Sequence, residues 1–159
     1  MASRPAGRSS LQPAGTLEAP LYGASAGAAW SRFWRKYATF TGRASRSEFW
    51  WVYLIMLVIN AALSAIAFLA ARIEIGDYPA GVLIALMIYI VWGGWGLATI
   101  VPHLAVAARR LHDADRSALW ILIGLIPLVG TIILIVLLVR DANPAGARFD
   151  RVSSSGRVR

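Results

Sequence analysis

The residues best suited to chemistry in this chain are His112 and Asp113, set directly after Arg109, Arg110 and Leu111. A His-Asp pair can ligate a metal ion, but a metal-dependent phosphohydrolase needs several further His and Asp ligands, and His103 is the one other histidine. On a continuous helix nine positions turn two side chains to opposite faces and separate them by roughly 13 Å along the axis, so these imidazoles cannot share an ion. No glycine-rich phosphate loop, serine nucleophile motif or zinc-ligand spacing occurs. The absence of cysteine excludes disulfides, thiolate metal sites and a cysteine nucleophile. The chain is therefore read as a non-enzyme, with no catalytic, cofactor or metal residues.

The same polar residues suit charge pairing better than catalysis. Two charged motifs, each abutting an apolar segment, are expected at one membrane depth: Arg43, Arg46 and Glu48 in the first, and Arg109, Arg110, His112, Asp113, Asp115 and Arg116 in the second. Their complementarity predicts that Glu48 pairs with Arg109 or Arg110, and that Arg43 or Arg46 pairs with Asp113 or Asp115. The i, i+4 spacings Arg109 to Asp113 and His112 to Arg116 add local pairing, and His112 is a candidate pH-sensitive member. Ser45-Arg46-Ser47-Glu48 has the S-x-x-E form of a capping box, in which Ser45 and Glu48 satisfy each other's backbone amides.

Three segments without a charged side chain, residues 49–71, 80–108 and 118–139, position these motifs. At ~1.5 Å per residue each reaches across a hydrocarbon core of ~30 Å. With 58% hydrophobic and 15% charged residues, the 159-residue chain reads as all-α, a polytopic membrane protein with three transmembrane helices. The first apolar run continues past the small-residue pattern Ala61-Ala62-Leu63-Ser64-Ala65 and is read as retained rather than as a cleaved signal. An amphipathic interfacial helix, residues 29–41, precedes the spans. Trp30, Phe33, Trp34 and Tyr37 fall on one of its faces and Arg32, Arg35 and Lys36 on the other, and Gly42 is positioned to end it. Trp50, Trp51 and Trp120 are further interfacial anchors. Gly93, Gly94 and Gly96 suit close helix packing, Gly94 with Ala98 forming a small-xxx-small pair, while Pro127 and Gly130 bend the third segment. Residues 1–27 and 141–159 have the composition of disordered tails around a membrane domain spanning 28–140.

The turn at 72–79 holds one basic residue against five between Trp30 and Glu48, which predicts a cytoplasmic N-terminus. Three crossings put the C-terminus outside, although Arg140, Arg148, Arg151, Arg157 and Arg159 there oppose that side. The alternative is a third segment that turns back at Pro127 to Gly130, with arms of about nine residues that are too short to span.

The motifs Phe40-Thr41-Gly42-Arg43-Ala44-Ser45-Arg46-Ser47-Glu48-Phe49-Trp50-Trp51, Arg109-Arg110-Leu111-His112-Asp113 and Ile126-Pro127-Leu128-Val129-Gly130 resemble the signatures of a bacterial inner-membrane family catalogued as domain of unknown function 805. Members usually carry Ser-Gly-Trp-Trp where this chain has Ser117-Ala118-Leu119-Trp120. Their Asn-Arg-Phe-Gly-like tail is matched in part by Gly146-Ala147-Arg148-Phe149-Asp150. The resemblance implies an inner-membrane location and no particular activity.

The net charge of +8 borders the apolar segments, so anionic headgroups rather than nucleic acid are the expected partners, with a membrane protein or a second copy as candidates. The span centres hold Asn60, Ser64 and Thr99 but no ionisable residue, which disfavours a transport pathway. A structural or accessory subunit is the favoured function; an oligomeric small-solute transporter or channel component is the alternative.

Overall fold

The computed structural model describes residues 19–73 and 80–150, and every regular element among them is helical. Residues 1–18 of the expected tail over 1–27, residues 151–159 of that over 141–159, and most of the turn at 72–79 lie outside the described residues.

Helix α1 (Ala26–Arg35) starts at Ser25, whose hydroxyl accepts from the amide of Ala28. It is shorter than the expected 29–41 and ends at Lys36, leaving Tyr37 in the turn beyond. Gly42 does adopt a positive φ of 81°, but it redirects the chain into the next helix rather than ending this one. Helix α2 (Arg46–Ala70) opens on the predicted capping box, with both the Ser45 and the Glu48 bonds formed. Helix α3 (Ala80–Asp113) packs back along α2. Gly81 permits this return: its amide donates to the Ile73 carbonyl, and a Cβ there would stand 2.2 Å from the Ala70 carbonyl oxygen. Farther along, the Trp92 indole donates to Asn60 Oδ1 at 2.7 Å. Both α2 and α3 are long and apolar enough to cross a membrane.

Pro102 lies inside α3 and has no N–H to give the Ala98 carbonyl one turn earlier. The Tyr37 hydroxyl donates to that carbonyl at 2.6 Å, satisfying the group the proline frees. The aromatic face of α1 thus packs on α3, with Phe33 edge-on to His103 and Trp34 against Trp95. This differs from a face given wholly to headgroups, because α3 offers aromatic partners at matching height.

The third apolar segment is not one helix over 118–139. A 3-10 segment, Ala118–Leu125, and helix α4, Val129–Val139, fold against each other around Pro127 and Leu128. Leu128 takes φ 61°, a left-handed conformation that reverses the chain. At Gly130 an added Cβ would lie 1.8 Å from the Ile123 carbonyl oxygen, so the tight return requires glycine. At ~2.0 Å per residue in the first arm and ~1.5 Å in the second, each arm is about 16 Å long. The hairpin begins just past α3 and comes back to it: Arg110 Nε donates to the Leu138 carbonyl at 2.9 Å, and its Nη2 donates to the Arg140 carbonyl.

The buried apolar core, including Phe33, Phe49, Val52, Met56, Val106, Leu111, Leu137 and Leu138, gathers toward the end where α2 begins and α3 finishes. Away from it, α2 and α3 carry large exposed apolar side chains such as Leu57, Leu83, Val91 and Leu97.

Candidate functional site: a buried charge network

The capped start of α2 sets Glu48 beside α1 and the polar finish of α3. Glu48 is 2% exposed, and its carboxylate meets Arg32 Nε at 2.5 Å while Oε2 accepts from the amides of Leu21 and Ser45. The partner is Arg32, not the expected Arg109 or Arg110. Arg32 lies on the basic face of α1, opposite the aromatics and expected to meet anionic headgroups; the fold turns it onto this carboxylate instead, while Arg35 on the same face stays exposed.

Arg110 pairs with Asp113 three residues on, at 2.9 Å, with both side chains fully buried. Its remaining donors reach the hairpin carbonyls, and Asp113 Oδ1 accepts from the Tyr22 hydroxyl. Such a pair is tolerable in a low-dielectric interior because its other hydrogen-bonding positions are also occupied. The Tyr22 pKa is raised, first by burial and then by its bond to Asp113.

Arg43 and Arg46 do not pair with Asp113 or Asp115. Arg43 makes a two-oxygen contact with Asp150, its closest approach 2.6 Å, and that bond raises its pKa. Arg46 meets Asp141 at 2.6 Å and donates to the Val139 carbonyl, while Asp115 pairs with Arg148 at 3.0 Å. Both carboxylate partners of the first motif come from the segment expected to be a disordered tail. That segment has defined structure to residue 150, including a second 3-10 segment, Pro144–Phe149, started by Asn143. The 19–25 stretch is likewise defined rather than a loose tail: Leu21 offers its carbonyl to Ser45 Oγ, and Ala24 its amide to Ser47 Oγ.

His112 is buried, its Nδ1–H donating to the Gly42 carbonyl at 3.1 Å and its ring stacked on Phe149 at 4.1 Å. Gly42 returns a bond to Phe149 through its own amide, and Gly146 packs so close to the His112 carbonyl that a Cβ would approach to 2.3 Å. Three parts of the chain therefore meet at one imidazole. His103 is held elsewhere, its Nδ1 at 2.7 Å from the Thr99 carbonyl.

Arg109 is 1% exposed; its Nε donates to the Ala105 carbonyl, and Ala44 donates to its own carbonyl. Arg116 joins no ion pair among the described residues, but borders an open cavity of about 660 Å³ with Asp115, Arg140 and Asp141. Trp50, Trp51 and Trp120 are exposed, while Trp30 stacks on Phe33. A Cβ added at Gly93, Gly94 or Gly96 would meet nothing within 4 Å, so no neighbour in this chain requires glycine at these positions of α3. Among the described residues no three His, Asp or Glu side chains converge as metal ligands.

Residues 37–151 match the family described as protein of unknown function (DUF805). The chain belongs to that family. It is similar to inner membrane protein YhaI of Escherichia coli strain K12, 33% identical over 115 residues that cover 72% of this chain and 86% of the relative. Inner membrane protein YhaH of the same strain is also 33% identical over 115 residues, covering 72% of this chain and 87% of the relative. No solved structure matches. The family region takes in both charged motifs, the hairpin and the Phe149 segment; Tyr22, Arg32 and Lys36 precede it.

Proposed function

We propose that this is a small multi-pass protein of the bacterial inner membrane, acting as a structural or accessory subunit. Helices α2 and α3 cross the bilayer, and the Ala118–Leu125 and Val129–Val139 arms enter and leave from the cytoplasmic side. The relatives' names support the inner membrane. The exposed apolar flanks of α2 and α3 support lipid contact, and arms of about 16 Å are half the ~30 Å needed to span. This arrangement puts both termini in the cytoplasm and brings the C-terminal arginines to the side that basic residues favour.

The observation that carries the functional reading is the consolidation of one end. Residues 19–25, α1, both charged motifs and 140–150 are tied there by buried or half-buried ion pairs and hydrogen bonds. A fixed charged platform suits docking of anionic headgroups and of a membrane-protein partner. Purification from membranes in mild detergent, followed by identification of co-purifying chains, tests the reading. A stoichiometric partner that is lost in charge variants of the platform supports it. Solute flux through reconstituted liposomes without such a partner would favour the oligomeric transporter instead.

A further inference from the structure

Every carboxylate side chain among the described residues is already committed to an arginine. Glu48 pairs with Arg32, Asp113 with Arg110, Asp150 with Arg43, Asp141 with Arg46 and Asp115 with Arg148. Arg116 and Arg140 join no ion pair among the described residues, and both border the open cavity of about 660 Å³. Asp115 and Asp141 line it as well, but Arg148 and Arg46 answer their charges, which leaves Arg116 and Arg140 as the cations in excess.

The fold fixes the backbone at both arginines. At the end of α3, Asp115 takes φ 57°, its amide donates to the His112 carbonyl, and the Arg116 amide donates to the Leu111 carbonyl at 2.8 Å. These two bonds form a Schellman closure, which aims the chain at Arg116 into the turn that starts the hairpin. On the returning arm, the Arg140 carbonyl accepts from Arg110 Nη2 and the Leu138 carbonyl from Arg110 Nε. Arg116 therefore stands two residues before the Ala118–Leu125 arm and Arg140 directly after the Val129–Val139 arm. The cavity lies at the root of the hairpin, and the arms leading away from it expose Leu119, Leu122, Leu125, Ile132 and Val136. Two guanidinium groups on one cavity suit the oxygens of a phosphate through directed, charge-assisted N–H bonds. Apolar flanks that begin at the same place suit the acyl chains that a lipid phosphate carries.

We infer that the cavity at the hairpin root binds one phosphate group through Arg116 and Arg140, and that this group belongs to an anionic phospholipid headgroup. The lipid source rests on the membrane reading above, since inorganic phosphate offers the same oxygens without acyl chains.

The test uses the full chain purified in a neutral detergent and titrated with phosphatidylglycerol in mixed micelles, alone and against inorganic phosphate. Bound lipid and melting temperature are followed. Saturation near one phosphatidylglycerol per chain is expected, with a rise in melting temperature. Arg116→Gln and Arg140→Gln should each weaken that binding about tenfold. Arg35→Gln, at an exposed position on α1 that does not border the cavity, should change it by less than about twofold. Absence of saturation, or equal loss in Arg35→Gln, overturns the site. Displacement of the lipid by an equal concentration of inorganic phosphate overturns the lipid source, and no displacement supports it. Should one glutamine variant fail to fold, the other decides, because the two arginines lie on opposite sides of the hairpin and neither leaves an ion-pair partner behind. Absence of saturable binding in a chain that still resists carbonate extraction refutes this inference alone, whereas release by carbonate refutes the membrane reading.

Discussion

A buried glutamate at the first turn of a long helix must be over-determined by its neighbours, and Glu48 is held by Arg32 and two amides. Glu48→Gln removes the charge that Arg32 needs while that guanidinium stays mostly buried, and should cost about 3 kcal/mol in thermal or denaturant unfolding in detergent. A charge swap separates the pairings: Arg32→Glu should partly rescue Glu48→Arg, and Arg109→Glu should not. Lys36 gives a pH signature. Its folded pKa of about 8 lies below the ordinary 10.5, so between these values the unfolded chain binds the proton that the folded chain has lost. Stability should therefore rise as pH climbs from about 8 toward 10.5 and be insensitive to this group below that window. Lys36→Met should flatten the rise when melting temperature is followed against pH in phosphate-free, lipid-free detergent. The capping box was legible at this scale because its spacing is local. The ion-pair partners were not, since complementarity within two motifs says nothing about Asp141 and Asp150, whose tail-like composition hid them.

At the scale of elements, the hairpin depends on one glycine. Gly130→Ala sets a methyl group against the Ile123 carbonyl and should cost about 1–3 kcal/mol or more, separating the two arms. Gly94→Ala meets nothing within 4 Å and should leave monomer stability unchanged or slightly raised, as measured by detergent melting. Apolar periodicity and length were enough to find α2 and α3, because burial in lipid and burial in a core demand the same continuous apolar run. They could not distinguish a span from a folded-back pair of arms over 118–139. That choice rests on Pro127, Leu128 and Gly130 acting together with Arg110, which fastens the returning end. The single tyrosine bond that satisfies the carbonyl freed by Pro102 was likewise invisible, since it joins positions 61 residues apart.

Across the whole molecule, these contacts amount to a helix pair closed at one end by the chain's own flanking segments. The family relation agrees with the sequence motifs at Gly42 to Trp51 and at Arg109 to Asp113. The structure adds why those motifs occur together: the first supplies the Gly42 carbonyl and the Glu48 carboxylate, and the second supplies the imidazole and the Arg110–Asp113 pair that bind the flanking segments. On the proposed topology, a hairpin in place of a third crossing puts residue 142 on the cytoplasmic side, and the absence of cysteine from the sequence makes single-cysteine labelling clean. Ala142→Cys should resist a membrane-impermeant maleimide in intact spheroplasts and label after permeabilisation, while Ile73→Cys, at the opposite end of the helix pair, should label in both. Labelling of Ala142→Cys in intact spheroplasts, equal to that of Ile73→Cys, would put the C-terminal segment outside and contradict the two-crossing account.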